Sequence, residues 1–173
     1  MLQVISLFNR ICLFRSKPQD LPVSSSLVLY AIVATCIVLS IRNLLLGVAG
    51  NAVAIGCAEA LLVAVVLRIL LTLFSKPERW HQAATALFGC TALIVAISIP
   101  FLMFMGGEIS QAAGLSSPRM TILLISSVWN FAVVIFILKE TLEISAIMTF
   151  MITLAIELAV GSVLVQLFGN RLL

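Results

Sequence analysis

Five long apolar stretches, separated by short polar segments, dominate this chain. Each is long enough to cross about 30 Å of hydrocarbon as a helix. Helical structure is required there, because backbone groups within lipid must pair inside their own segment. The sequence therefore predicts an all-α, polytopic membrane bundle of five transmembrane helices within residues 18–173. The predicted spans are approximately 24–46, 49–73, 82–105, 120–138 and 144–169.

The composition excludes the other broad classes of protein. Hydrophobic residues make up 62% of the chain and charged residues only 10%, whereas an ordinary soluble domain is about 25% charged. A water-soluble globule, a disordered chain and a typical nucleic-acid binder are therefore excluded. The expected partners are the lipid bilayer and either another membrane protein or a second copy of the chain, with no nucleic acid.

The N-terminal segment, residues 1–17, has a different pattern. Over residues 2–15 its apolar side chains share one helical face, while polar side chains lie away from that face. Such an amphipathic helix is expected to lie in the headgroup plane rather than to cross the membrane. The apolar face holds Val4, Leu7, Phe8, Ile11 and Phe14, and the polar residues are Gln3, Ser6 and Arg10.

The distribution of lysine and arginine predicts the orientation. With the N-terminus inside, seven of the ten basic residues fall on the inner side. This asymmetry satisfies the positive-inside rule and predicts a cytoplasmic N-terminus and an extracytoplasmic C-terminus. The chain has no N-x-S/T glycosylation acceptor, and we expect a bacterial inner-membrane protein. The inner set is Arg10, Arg15, Lys17, Arg68, Lys76, Arg79 and Lys139, and the outer set is Arg42, Arg119 and Arg171.

Four residues near the predicted inner boundary are candidate interface anchors: Arg68, Lys76, Arg79 and Trp80. Amphipathic rings favour the membrane–water interface, which suits Trp80. Arg68 is about 9 Å from the inner end of its span, so its long side chain can reach the headgroups. The alternative is an ion pair between Arg68 and Glu140 or Glu143.

Polar side chains also occur deep inside three of the spans. Glu59 and Asn130 each lie about 15 Å from the predicted outer entry of their helix, and Glu157 lies about 18 Å from the exit of its helix. Thr153 shares a helical face with Glu157. These four residues therefore form a candidate polar layer near the bilayer midplane. Buried charge in a membrane is costly, so such residues demand an explanation.

Two explanations of this layer remain open. It forms a polar site or pathway, or it joins helices through protonated carboxyl groups hydrogen-bonded to asparagine and threonine. No nucleophile and base stand together in the sequence, so we expect no catalytic residues. The four cysteines and the single His81 are scattered, and we expect neither a metal site nor a cofactor.

The run from Trp80 to Gly89, WHQAATALFG, resembles the start of the third span in small bacterial Yip1-type membrane proteins. The resemblance covers roughly residues 20–169, mostly as a pattern of five closely spaced spans. It implies a non-enzymatic membrane protein with a cytosolic N-terminal segment and an outer C-terminus. It assigns no functional residue. Eukaryotic members are linked to Rab GTPases, but this chain lacks their long cytosolic N-terminal region.

Three functions follow in order of preference. The first is a non-enzymatic membrane-organising, scaffolding or assembly factor that acts through helix–helix contacts. The second is a small transporter or permease subunit that uses the midplane layer of Glu59, Asn130 and Glu157. The third is an intramembrane enzyme, in which Glu59 and Glu157 would form an acid pair.

Overall fold

The computed structural model describes residues 2–48, 50–104 and 118–169. Its helices are α1 (Leu2–Cys12), α2 (Ser25–Leu45), α3 (Ala52–Leu73), α4 (Trp80–Phe104), α5 (Pro118–Leu142) and α6 (Ala146–Phe168), with short 3-10 turns at Pro18–Asp20 and Pro77–Arg79. These described ranges contain no strand. Helices α2 to α6 are long and apolar enough to cross a membrane. The prediction of an all-α, five-span fold preceded by a short helix is confirmed, and the chain is an integral multi-pass membrane protein.

The helix ends depart from the apolar stretches in places. Helix α5 continues to Leu142, four residues beyond the predicted span, through a segment that the sequence suggested was a turn. Lysine, glutamate and leucine are good helix formers, and Thr141 and Leu142 are buried against the bundle. Arg171, one of the outer basic residues of the orientation count, lies outside the described residues.

Helix α4 forms the centre of the bundle. It has thirteen buried residues, whereas α6 has three. Alanine and glycine in its first half let neighbouring helices approach closely, and α4 packs against α1, α2, α3 and α5. The hydroxyl of Thr35 on α2 donates to the carbonyl oxygen of Phe88 on α4 at 2.8 Å. The outer faces of the other spans leave large apolar side chains exposed, as expected of a surface covered by lipid.

Helices α2 and α3 form a tight hairpin. A Cβ atom on Gly56 would lie 2.8 Å from both the backbone nitrogen and the hydroxyl of Ser40. The hairpin turn contains Gly47 at a φ of 89°, which glycine adopts without steric cost. The backbone N–H of Val48 donates to the carbonyl of Asn43 at 3.1 Å and closes the end of α2. This packing sets the register between the two helices.

Helix α1 packs on the flank of α4. A Cβ atom on Gly89 would lie 2.5 Å from the ring of Phe8, and the indole of Trp129 on α5 donates to the carbonyl of Cys12 at 3.1 Å. Gly89 is nine residues, about 13.5 Å, beyond Trp80 at the start of α4. Interfacial helices bury only about 5–10 Å, so this contact is deeper than the headgroup plane requires. The interfacial position of α1 stays a prediction.

The two ends of the bundle differ in charge. The basic end carries Lys17, Lys76, Arg79 and Lys139, with the acidic residues Glu140 and Glu143 among them. At the other end, which we call the Arg119 end, the guanidinium of Arg119 donates to the carbonyl of Leu45 at 2.9 Å and so caps α2.

Candidate functional site

All four residues of the predicted polar layer line one cavity, which we call the midplane cavity. Its volume is about 70 Å³, enough for a few water molecules. Aliphatic and aromatic side chains make up the remainder of its wall. All five long helices contribute its polar residues, which are Thr35, Glu59, Thr91, Asn130, Thr153 and Glu157.

The observed helix bounds place most of these residues at a similar depth. Asn130 is twelve residues, about 18 Å, from each end of α5. Glu157 is eleven residues, about 16.5 Å, from each end of α6. Glu59 is about 10.5 Å from the start of α3 and about 21 Å from its end. Two of the three residues therefore lie midway along their helices, and Glu59 is displaced toward the Arg119 end.

Glu59 is held in an ion pair. Its carboxylate lies 2.9 Å from a terminal guanidinium nitrogen of Arg42 on α2. Each of the two side chains is only 25% exposed. The same guanidinium nitrogen also lies 3.3 Å from the side-chain oxygen of Asn43. Within a bundle surrounded by lipid, this pair replaces two separate charges with a neutral unit.

Arg42 also lines a second cavity, which we call the Arg42 cavity. Its volume is about 270 Å³, and it shares Glu59, Thr91 and Asn130 with the midplane cavity. Its wall extends to Leu46, just past the end of α2, and so toward the Arg119 end. The wall also contains the hydroxyl groups of Ser98, Ser126 and Ser127. The two cavities together form a polar depression that leads from the Arg119 end to the middle of the bundle.

The remaining polar residues of the midplane cavity differ in their partners. The hydroxyl of Thr91 donates to the side-chain oxygen of Asn130 at 3.0 Å, which joins α4 to α5. Thr153 is buried and donates to the carbonyl of Thr149 within its own helix at 2.9 Å. Glu157 is exposed on the flank of α6. Within the described ranges, no side chain or backbone group forms a hydrogen bond or an ion pair with its carboxylate.

Sequence reasoning missed the role of Arg42, which it used only as an outer basic residue in the orientation count. The signal lies in the register of the α2–α3 hairpin. Ser40 packs against Gly56. Along the helix axes, Arg42 therefore lies about 3 Å from that contact toward the Arg119 end, and Glu59 lies about 4.5 Å from it toward the basic end. Two long side chains bridge this gap of about 7.5 Å, and the arginine therefore points into the bundle.

The candidate interface anchors gather at the basic end. The guanidinium of Arg68 lies 5.5 Å from the ring centroid of Trp80, a cation–π contact. Glu143 contacts both Lys76 and Arg79, and the distance from Arg79 is 2.7 Å. Hydrogen bonds from Lys76 and then from Arg79 hold the pKa of the Glu143 carboxyl below its ordinary value of 4.5. Arg68 forms no ion pair with Glu140 or Glu143, which was the alternative that the sequence left open.

Three polar segments are joined at this end. Lys17, just before the first 3-10 turn, lies 3.3 Å from the carboxylate of Glu140 on α5. The side chain of Gln82 on α4 donates to the carbonyls of Gln19 and Leu21 at 2.9 and 3.1 Å. Together with the contacts of Glu143, these bonds tie the N-terminal segment, the α3–α4 connection and the α5–α6 turn into one network.

The polar groups of the cavities can form hydrogen bonds and ion pairs with a bound molecule. Across the described part of the chain, no group of three His, Cys, Asp or Glu side chains could hold a metal ion. The four cysteines are free thiols. A cation, two carboxylates, an amide and several hydroxyls can orient a small polar molecule or carry a proton. No known family model, curated protein or solved structure matches this chain.

Proposed function

We propose that this membrane protein is a small transporter or permease subunit that binds a small polar solute in the two linked cavities. One observation supports the proposal above all: the charged and polar residues of five helices converge on a cavity in the middle of the bundle. Side chains that served only to join helices would be expected to pair with one another. Glu157 instead lines the cavity without a described partner.

The orientation proposed for this function follows the distribution of basic residues. The basic end would face the cytoplasm and the Arg119 end the outside, in a bacterial inner membrane. The Arg42 cavity would then open outward, while the network around Glu143 and Glu140 holds the cytoplasmic end together. The resemblance to Yip1-type proteins remains part of the proposal, supported by the number and spacing of the spans. The proposal assigns no catalytic step to the chain.

Side-specific labelling tests the path into the bundle. Single cysteines at Ser127 and Asn130, in a background in which the four native cysteines are replaced, are treated with a charged thiol reagent that does not cross membranes. A water-filled path predicts that both react when the reagent is added on the Arg119 side. A cysteine at Leu158, which is 67% exposed on α6 and next to Glu157, is the control and should not react in lipid.

Solute flux tests the transport itself. Glycine, urea and glycerol serve as probes in stopped-flow measurements of proteoliposome swelling. Transport predicts faster swelling with at least one probe than in protein-free vesicles, and a reduced rate for Asn130→Leu but not for Leu158→Ala. Absence of flux for all three probes would refute the transport function, and unreactive cysteines at both cavity positions would refute the water-filled path.

A membrane-organising, scaffolding or assembly role is the second candidate, and α1 favours it. Asn9 and Arg10 are exposed on α1, although this helix packs against α4 well beyond its first turn. Polar groups at that depth are stabilised by a polar partner. A photo-crosslinking residue at Asn9 should then yield a discrete protein adduct, while one at Leu158 should yield only lipid adducts. Lipid adducts at both positions would rule out this role for α1.

A further inference from the structure

We infer that Glu157 is the site of an exchangeable proton, which reaches it from solution through the Arg42 cavity. This names the ion of the site proposed above, and it rests on that proposal for the path by which the proton arrives. The inference depends on the charge balance of the cavities, on the position of Glu157 along α6 and on the partners of the neighbouring carboxylate.

The two carboxylates have different surroundings. Glu59 is paired with the guanidinium of Arg42 at 2.9 Å. Glu157 shares the midplane cavity with Glu59, but the described residues provide no second cation on either cavity wall. The two cavities therefore hold two carboxylates and one guanidinium, and the uncompensated negative charge belongs to Glu157.

The groups that face Glu157 come from each neighbouring helix. Helix α6 packs against α3 and α5. From α3 comes Glu59, a second carboxyl group, and from α5 comes the neutral Asn130. Arg42 on α2 lies beyond Glu59 in the Arg42 cavity. In the midplane cavity, α2 supplies the hydroxyl of Thr35 and α4 that of Thr91. The other acidic group that lines the midplane cavity is thus Glu59.

The depth of Glu157 makes the charged state expensive. The residue lies about 16.5 Å from each end of α6, and an ionised side chain at the centre of a membrane helix is costly. Binding one proton removes the charge. A proton needs only a single oxygen, whereas a metal cation needs several, and the described residues form no such cluster of acidic and metal-binding side chains.

The exchange reaction is a simple protonation. The carboxylate oxygen of Glu157 accepts a proton from water in the linked cavities, and the acid returns it to water by the same route. The serine hydroxyls and Asn130 along the wall of the Arg42 cavity can hold that water. Because Glu59 is already paired with Arg42, the exchangeable proton is assigned to Glu157.

Labelling with dicyclohexylcarbodiimide tests this inference on the complete, unsubstituted protein in liposomes. This apolar reagent adds to carboxyl groups in their protonated form: the carboxyl proton moves to a nitrogen of the reagent and the carboxyl oxygen bonds to its central carbon. We expect an adduct at Glu157 and none at Glu59, located by peptide mass spectrometry. The labelling rate should fall by about tenfold for each pH unit above the titration midpoint of Glu157.

Two comparisons sharpen the result. Glu157→Gln should abolish labelling and still fold, since the amide has nearly the shape of the acid. Labelling is carried out in a choline buffer and again in a sodium buffer at the same pH. The rate of labelling at Glu157 should be the same in both. Protection by sodium would make the ligand a metal cation and overturn the assignment, as would labelling of Glu59 or a rate at Glu157 that does not depend on pH.

This labelling does not require any solute to cross the membrane. An adduct at Glu157 with no flux of glycine, urea or glycerol would retain the proton site and refute the transport function. Flux without an adduct at Glu157 would retain the transport function and refute the proton site.

Discussion

Loss of the Arg42–Glu59 ion pair should destabilise the protein far more when one partner is removed than when both are. Removing one partner of a buried pair costs about 3–5 kcal/mol, because it leaves a buried charge uncompensated. Each side chain here is 25% exposed, so for Arg42→Met we expect the lower end, about 3 kcal/mol. For Glu59→Leu we expect about 1–2 kcal/mol, since the remaining arginine is three residues from the end of α2 and can turn toward the headgroups.

The double variant replaces the pair with apolar side chains of similar size. Such replacements are close to neutral, so its free energy of unfolding should lie within about 1 kcal/mol of that of the unsubstituted protein. For a neutral double variant, the coupling energy between the two positions is then about 4–5 kcal/mol. It is measured by reversible unfolding in mixed detergent–SDS micelles, followed by circular dichroism.

A second cycle supplies the control. Arg42→Met and Glu140→Gln lie at opposite ends of the bundle, and their effects should add to within about 0.5 kcal/mol. If the effects of Arg42→Met and Glu59→Leu were also additive to that extent, the ion pair would contribute nothing to stability, and the reasoning about uncompensated charge would fail.

Three further predictions concern packing and pH. Gly56→Val should lower the free energy of unfolding by about 1–3 kcal/mol, because its Cβ would lie 2.8 Å from the backbone of Ser40; the same unfolding assay measures it, and an unchanged value would contradict the close packing. Gly89→Leu should push away the ring of Phe8 and release α1, measured as faster hydrogen exchange over residues 2–12 with no change in α2 and α3. The pKa of Glu143 is lowered in the folded protein. The contacts of its carboxylate therefore contribute to stability at a pH above the ordinary pKa, and this contribution disappears as the pH falls through the pKa of the folded protein. Thermal stability should therefore decline below about pH 4.5, and Glu143→Gln should remove that part of the decline.

The spans were predictable because hydropathy reports directly which segments are covered by lipid. It reports helix ends less well, since Lys139 and Glu140 leave the hydrocarbon but continue α5. Hydropathy also identified α1 as a short amphipathic helix but gave no information on its neighbours. Its contact with α4 depends on the absence of a side chain at Gly89, and that pairing of a ring with a glycine is not visible in either segment alone.

The polar layer was predictable because depth follows from the helical rise of about 1.5 Å per residue. The spacing of small and polar residues then indicated which way each side chain faces. Both arguments treat one helix at a time, and so they found Glu59, Asn130, Thr153 and Glu157. The role of Arg42 depends on the register between two helices, which the contact of Gly56 with Ser40 sets.

The contacts of α1 constrain the order in which the chain assembles. Helix α1 is synthesised before the five spans, yet its carbonyl at Cys12 bonds to Trp129, 117 residues later in the chain. That bond cannot form until α5 has left the ribosome and entered the membrane. During the interval the amphipathic α1 has no bundle to cover its apolar face, and the membrane surface is the environment that suits it. The docking of α1 against α4 and α5 therefore marks a late step, at which a helix made before the spans joins a bundle that is nearly complete.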